Sequence, residues 1–108
     1  MKRALLSVGL LMATGGLLSA ADAKANWTKY CAKCHGEDGK GQTRMGKQAG
    51  AKDYTDAKVQ QELKDDKALK AIKEGLTENG KKKMDAYADK LSDDEIKALI
   101  AHLRSFKK

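Results

Sequence analysis

The clearest pattern of apolar and polar residues lies near the carboxyl end of the chain. Ser92 and Glu95 have the spacing of a capping box, and Leu91 and Ile96 have the spacing of a hydrophobic staple around it. Apolar residues then recur at intervals of three or four, which places them on one face of a helix. The pattern predicts a terminal helix that packs in the core. The apolar stripe consists of Ile96, Leu99, Ile100, Leu103 and Phe106.

Three further helices are predicted before the terminal one. The first covers residues 25–35 and ends at Gly36. Two short amphipathic helices follow, one that Asp56 can cap and one that Asp65 or Asp66 can cap. No stretch shows the period-two alternation of a sheet. The fold class is therefore all-α, with about four helices. The apolar residues of the two short helices are Val59, Leu63, Leu69 and Ile72.

Two stretches between the helices show no regular periodicity. Residues 36–55 contain five glycines among polar residues, and residues 76–90 contain Gly80 and three consecutive lysines. Polar, glycine-rich stretches are typical of loops. We predict both stretches to be irregular. The first is long for so small a domain, which points to a loop with a function or one that wraps around something.

The amino-terminal residues have the features of a secretory signal peptide. Two basic residues precede an apolar run over residues 4–18, and small residues follow up to Ala23. We place cleavage after Ala23, which divides the chain into a signal peptide, residues 1–23, and one domain, residues 24–108. The run is shorter than the roughly 20 residues of a membrane-spanning helix. We expect an exported, periplasmic domain without stable membrane insertion.

Composition and charge limit both the core and the partners. Charged residues make up 34% of the 108 residues and aromatic residues only 5%, so apolar side chains alone leave a small core. Domains of this size often gain stability from disulfides, metals or cofactors. The net charge of +7 suits acidic partners, anionic membrane surfaces or nucleic acid. Acidic and basic residues are interleaved, as in Lys64, Asp65, Asp66 and Lys67, which argues against nucleic acid as a partner.

Both cysteines lie in one CxxCH motif. Cys31 and Cys34 are three residues apart, and His35 is four residues after Cys31, so on a helix the three side chains share one face. Two thiols at this spacing can form thioethers with the vinyl groups of a haem while the imidazole reaches the iron. The signal peptide agrees with this chemistry, because haem of the c type is attached outside the cytoplasm. The motif predicts covalently bound haem c.

Two other chemistries use closely spaced cysteines. A redox disulfide between Cys31 and Cys34 expects a strand before the motif and a βαβ pattern around it, and the sequence shows neither. A zinc site needs four ligands, and the one remaining histidine is His102. The adjacent Cys34 and His35 are also hard to place at one tetrahedron. Haem attachment is favoured over both.

Segments along nearly the whole of residues 24–108 carry a family resemblance. They are YCAKCHG at residues 30–36, GKG at 39–41, KM at 83–84, LSDDEI at 91–96 and AHLR at 101–104. Together they resemble the class I c-type cytochromes. The resemblance implies a small cytochrome c fold wrapped around one covalently bound haem. It also implies thioether links at Cys31 and Cys34, with His35 and Met84 as the two axial ligands of the iron.

Met45 and Met84 are the methionines that follow the signal peptide. Met45 lies ten residues after His35 and Met84 lies about fifty residues after it, so Met84 can more readily reach the opposite haem face. A gap-filling core residue is the alternative role for Met84. A thioether ligand suits a high-potential electron carrier, which favours Met84 as the ligand.

The sequence departs from the family pattern near both ligands. Asp85 stands where the family usually has a proline after the methionine. In the family, the carbonyl of a proline after the CxxCH segment accepts the second N–H of the proximal histidine. This chain has no proline there, so we expect a backbone carbonyl near Arg44 or Met45 to accept that N–H instead. His102 is expected to pack or to lie at the surface rather than to bind iron. Trp27, Tyr30 and Phe106 are expected in the core, whereas Tyr54 and Tyr87 have no predicted role.

The resemblance implies an electron carrier rather than an enzyme. An iron with two protein ligands has no open position for a substrate and rearranges little between oxidation states. Two alternatives are a haem enzyme or gas sensor, and a haem subunit held permanently by a dehydrogenase. We expect a monomer that shuttles single electrons between larger redox proteins with acidic docking surfaces. The lysines that could steer it are Lys33, Lys40, Lys81, Lys82 and Lys83.

Overall fold

The computed structural model describes residues 19–108, and most of the predicted signal peptide lies outside the described residues. Helices dominate this part of the chain, as predicted, and a small hairpin is added to them. Among the described residues, no helix is long and apolar enough to cross a membrane. The elements are α1 (Ala20–Asn26), a π-helical turn (Trp27–Cys31), α2 (Ala32–His35), α3 (Arg44–Ala49), α4 (Ala57–Glu62), α5 (Asp65–Glu74), β1 (Leu76–Glu78), β2 (Lys81–Met84) and α6 (Asp93–Arg104).

The first helix is longer than predicted, because α1, the π-helical turn and α2 follow one another without a break. The Ser19 side chain accepts a hydrogen bond from the Asp22 amide, and the Asp22 carboxylate accepts one from the Ser19 amide. This capping box starts the helix at Ala20 instead of residue 25. The helix ends at Gly36, as predicted, with φ at +81°.

The apolar stripe of α6 lies at the centre of the core, as predicted. Ser92 and Glu95 form the capping box through hydrogen bonds in both directions. Ile96 and Leu99 are the most deeply buried large side chains, with 0% and 1% exposure. Helix α6 packs against α1 and α5, and Trp27 belongs to the same core cluster. Burial of such side chains stabilises the fold by about 1.5–3 kcal/mol each, so this crossing fixes the first helix in place.

Residues 36–55 are not a continuous loop, and that prediction was wrong. The Thr43 hydroxyl accepts a hydrogen bond from the Gly46 amide at 2.9 Å and caps α3. The helix stops at Gly50, which has a left-handed conformation with φ at +78°. Because α3 has only six residues, it is too short to show a helical period in the sequence.

The caps of the two short helices differ in outcome. Asp56 caps α4, as predicted, and accepts a hydrogen bond from the Lys58 amide at 2.8 Å. The predicted cap of α5 was wrong, because Lys64 occupies the N-cap position without a side-chain bond. Asp65 and Asp66 lie in the first turn instead, where carboxylates interact favourably with the helix dipole.

Residues 76–90 are not irregular throughout, and the prediction of no sheet was wrong here. Strands β1 and β2 form an antiparallel hairpin in which Leu76 pairs with Met84. Asn79 and Gly80 have φ of +52° and +78°, the left-handed conformations of a type I′ turn. Most residues of the hairpin are exposed, so burial imposes no alternation of apolar and polar residues.

A polar network ties the end of α6 to α4. Gln60 has only 6% exposure and donates through Nε2 to the carbonyls of Tyr54, at 2.7 Å, and Leu103, at 2.9 Å. Arg104 donates to the carbonyl of Gln60 at 2.6 Å and to the carboxylate of Asp65 at 2.7 Å. The network fixes the segment that carries Tyr54, a residue of the site described next.

Candidate functional site

The CxxCH motif lies where the π-helical turn gives way to α2. Cys31 is the last residue of the turn, and Cys34 and His35 end α2. Cys31 is buried, Cys34 is partly exposed, and both thiols are free. The structure therefore brings three of the four predicted site residues together within five consecutive residues.

The surroundings of the Cys31 thiol do not favour the thiolate form. Burial, and secondly the neighbouring Cys34, raise the pKa of the Cys31 thiol to about 12. Cysteines of redox CxxC motifs and zinc sites act as thiolates, and their pKa is lowered rather than raised. In the part of the chain that the structure describes, no three His, Cys, Asp or Glu side chains are grouped to hold a metal ion. The geometry thus gives no support to a redox disulfide or a zinc site.

The His35 imidazole contacts two aromatic rings. The ring centroids of Trp27 and Tyr54 each lie 5.6 Å from that of His35, with interplanar angles of 41° and 37°. Burial lowers the pKa of His35, so the imidazole is neutral near pH 7. A neutral imidazole held among aromatic rings has the form that binds a metal ion.

The second nitrogen of this imidazole does not make the predicted hydrogen bond. Nδ1 of His35 is buried, and it has no partner among residues 19–108. The prediction of a carbonyl near Arg44 or Met45 was therefore wrong. These two residues begin α3, and carbonyls in the first turn of a helix accept hydrogen bonds from amides of that helix.

The loop after the motif holds the end of α2 in place. The Gly41 amide donates to the His35 carbonyl at 2.9 Å, and the Thr43 hydroxyl lies 2.9 Å from the Cys34 carbonyl. A side chain at Gly46 would collide with the same Cys34 carbonyl. The glycine-rich loop therefore packs against the motif with its backbone, which requires a glycine at this approach.

Met84 comes from a different segment, at the end of β2. Its side chain is partly buried and packs against the core cluster to which Cys31 belongs. Met45 lies on α3 with 43% exposure. Of the two methionines, Met84 lies far from the motif in the sequence and yet packs against the core around the motif.

Two tyrosines without a predicted role contact the site. Tyr54 packs against His35, and the hydroxyl of Tyr87 donates to the backbone carbonyl of Tyr30 at 3.1 Å, next to Cys31. Both contacts join segments that are far apart in the chain. Local sequence patterns carry no signal for such contacts, beyond the rarity of aromatic residues in this chain.

His102 packs at the helix crossing, as predicted. Its ring centroid lies 5.4 Å from that of Trp27 and 5.0 Å from that of Phe106. Trp27 is buried and also donates from Nε1 to the Gly36 carbonyl at 2.8 Å. The predicted core roles of Trp27 and Phe106 are confirmed by these contacts.

Comparison with known proteins identifies the family of the chain. The family described as cytochrome c oxidase, cbb3-type, subunit III matches residues 18–103. The chain is a c-type cytochrome. It is 35% identical over 108 residues to cytochrome c-553 of Helicobacter pylori strain J99, covering 99% of this chain and 100% of that relative.

Two further relatives agree with this result. The cytochrome is 34% identical over 107 residues to cytochrome c-553 of Helicobacter pylori strain 26695, covering 99% of this chain and 100% of that relative. The solved structure of the KustC0563 c-type cytochrome superposes with a TM-score of 0.71 at 33% identity, covering 81% of this chain and 99% of that one. The predicted class I cytochrome fold is confirmed.

Family membership implies haem c with its iron, and an electron-transfer protein rather than an enzyme. The residues present fit such a group. The motif offers two free thiols and a neutral, partly buried imidazole, and a thioether packs against the same core from a distant segment.

Proposed function

We propose that this cytochrome carries single electrons with one haem c, which is linked covalently to Cys31 and Cys34 and has His35 and Met84 as iron ligands. The observation that carries the proposal is the placement of two free thiols and a neutral imidazole within one helix end. When bound, the haem supplies the one-electron oxidation and reduction of its iron. The protein residues hold it, exclude water and set its surroundings.

The surroundings of His35 support a role as the proximal ligand. Contacts with Trp27 and Tyr54 limit rotation of the imidazole, and the hydrogen bond from Gly41 to the His35 carbonyl fixes its backbone. A ligand that is held in place needs little rearrangement when the charge of the metal changes. Fast electron exchange follows from small rearrangement.

The proposal of Met84 as the second ligand rests on its burial and on its distance from the motif in the sequence. If His35 and Met84 both held the iron, no iron position would be left for oxygen or peroxide. This arrangement favours a carrier over a haem enzyme or gas sensor. A thioether ligand also raises the reduction potential.

The location and partners of the carrier belong to the same proposal. Residues 1–23 direct export and are removed, together with the Ser19 capping box and the first residues of α1, and residues 24–108 work in the periplasm as a monomer. The partners are larger redox proteins with acidic docking surfaces. Support comes from the net charge, which is +7 for the whole chain and +6 without Lys2, Arg3 and Asp22 of residues 1–23. The candidate lysines also reach the surface: Lys33, Lys81 and Lys82 are exposed, and Lys40 and Lys83 are partly exposed.

The first experiment is an absorption spectrum of the purified, denatured protein in alkaline pyridine, which reports haem and its covalent attachment. We expect a thioether-linked haem spectrum at one haem per chain. The variant with both Cys31→Ser and Cys34→Ser should lose the haem on denaturation. A folded wild-type protein without colour would contradict the proposal.

The same preparation tests the second ligand. The oxidised wild-type protein should show the near-infrared sulfur-to-iron absorption band. Met84→Ala should abolish the band and allow the reduced protein to bind carbon monoxide. Met45→Ala is the matched control and should keep the band. A band that survives in Met84→Ala would contradict ligation by Met84.

A further inference from the structure

Tyr87 connects the segment of Met84 to the segment that carries the CxxCH motif. Its hydroxyl donates to the Tyr30 carbonyl at 3.1 Å, across 57 residues of the chain. The two tyrosine rings also meet edge to face, with centroids 5.6 Å apart at an angle of 64°. One end of this contact is adjacent to Cys31, and the other lies three residues after Met84.

The π-helical turn explains why a carbonyl of the first helix is available to Tyr87. The Ala32 amide donates to the Trp27 carbonyl, and the Gly36 amide donates to the Ala32 carbonyl. These two bonds are the first and last of a range in which the five amides of residues 32–36 are the helical donors for the six carbonyls of residues 27–32. One carbonyl is therefore left for a donor from outside the helix, and a buried carbonyl without a donor is costly. The Tyr30 carbonyl is one of these six, and it accepts a hydrogen bond from the Tyr87 hydroxyl.

Tyr87 is itself held firmly in its own segment. Its amide donates to the Ile72 carbonyl at 2.8 Å, and its carbonyl accepts from the Leu91 amide at 2.9 Å. The chain contains no proline to stiffen the stretch between Met84 and Leu91, so hydrogen bonds must order it. Burial raises the pKa of the Tyr87 hydroxyl, which keeps its proton in place near pH 7.

We propose that Tyr87 is a positioning residue. Its hydroxyl keeps the segment of Met84 at a fixed distance from the π-helical turn that ends at Cys31, and this keeps Met84 on the iron. The inference rests on the proposed function, because it concerns ligation by Met84. It predicts that loss of one hydroxyl group, on a residue that is not itself an iron ligand, makes Met84 easier to displace.

The test compares Tyr87→Phe with wild type in the oxidised holoprotein. Imidazole is added, and loss of the near-infrared sulfur-to-iron band reports displacement of Met84. A net hydrogen bond is worth enough to change such an equilibrium about three- to tenfold, so Tyr87→Phe should bind imidazole about three- to tenfold more tightly. Tyr30→Phe is the matched control, because it keeps the backbone carbonyl that Tyr87 uses, and it should bind imidazole as wild type does.

The outcomes separate the inference from the proposed function. A wild-type band together with unchanged imidazole affinity in Tyr87→Phe would overturn the positioning role alone. The same holds if the variant unfolds at lower urea concentration yet binds imidazole as wild type does, since its role would then be only structural. A wild-type protein without the band would overturn ligation by Met84, and the role of Tyr87 with it.

Discussion

At the scale of the residue, the ring of Trp27 connects the two histidines of the chain. Its centroid lies 5.6 Å from that of His35 and 5.4 Å from that of His102. Burial lowers the pKa of His102 below its ordinary value of 6.5, and Lys24 on α1 lowers it further, whereas Glu37 in the loop after α2 acts in the opposite direction. The folded protein therefore favours the neutral form of His102.

We predict that His102 makes the protein less stable as the pH falls from about 7 to about 5. The unfolded chain binds this proton at a higher pH than the folded chain, so the contribution is fully present above the unfolded pKa and is lost towards the folded pKa. His102→Phe keeps an aromatic ring and removes the titration, so its stability should fall less over this range. Urea unfolding of the holoprotein at several pH values measures the difference, and equal pH slopes would contradict it.

At the scale of the element, the hairpin decides where Met84 lies. The turn of β1 and β2 contains Asn79 followed by Gly80, a pair that is the strongest short-range signal of a two-residue hairpin. The sequence contains this signal, but the strands are mostly exposed and show no alternation of apolar residues, so the hairpin was not predicted. Gly75 starts the hairpin with φ at +77°, and a Cβ there would lie 2.6 Å from the Met84 carbonyl.

Two glycine variants test how the hairpin backbone holds the Met84 segment. Gly80 has φ at +78°, and a Cβ there would meet no atom within 4 Å. Gly80→Ala should therefore cost only the left-handed strain of about 1–2 kcal/mol. Gly75 has φ at +77° and ψ at 179°, a region that essentially only glycine adopts, and a Cβ there would also push against the Met84 carbonyl. Gly75→Ala should therefore cost more than Gly80→Ala and should weaken the near-infrared band. Urea unfolding reports the stability of both variants, and the band intensity reports the setting of Met84. A band of wild-type intensity in Gly75→Ala would refute the role of the approach.

At the scale of the whole molecule, positive charge is spread over the surface. The Lys73 and Asp93 pair, at 3.1 Å, and the Lys82 and Asp85 pair, at 3.2 Å, are ion pairs among the described residues. Both are partly or largely exposed, so each contributes little to stability. The excess of basic residues acts instead through the long-range field, which attracts anionic surfaces and is screened by salt.

We predict that the charge of an electron acceptor determines its salt dependence. The rate at which anionic hexacyanoferrate(III) oxidises the reduced cytochrome should fall several-fold when the ionic strength rises from about 10 to about 200 mM. Oxidation by the cationic tris(phenanthroline)cobalt(III) complex is the control and should become faster. Stopped-flow absorbance measures both rates. The same trend with both oxidants would rule out steering by the positive surface.

Local features of the sequence determined much of the fold, because their physical cause lies within a few residues. The capping box of Ser92 and Glu95, the stripe of α6, the Asp56 cap and the helix stop at Gly36 all depend on neighbours in one turn. The CxxCH motif belongs to the same class, since one turn of helix suffices to place Cys31, Cys34 and His35 together.

Tertiary structure alone decided the features that depend on distant segments. These features arise where separate segments pack. Tyr54 contacts His35, Tyr87 donates to the Tyr30 carbonyl, Gly46 fits closely against the motif, and Nδ1 of His35 has no partner among the described residues. Their energies come from burial and from hydrogen bonds between residues far apart in the chain. No periodicity or motif along the chain encodes those, whereas caps, stripes and the haem-attachment motif need only their immediate neighbours.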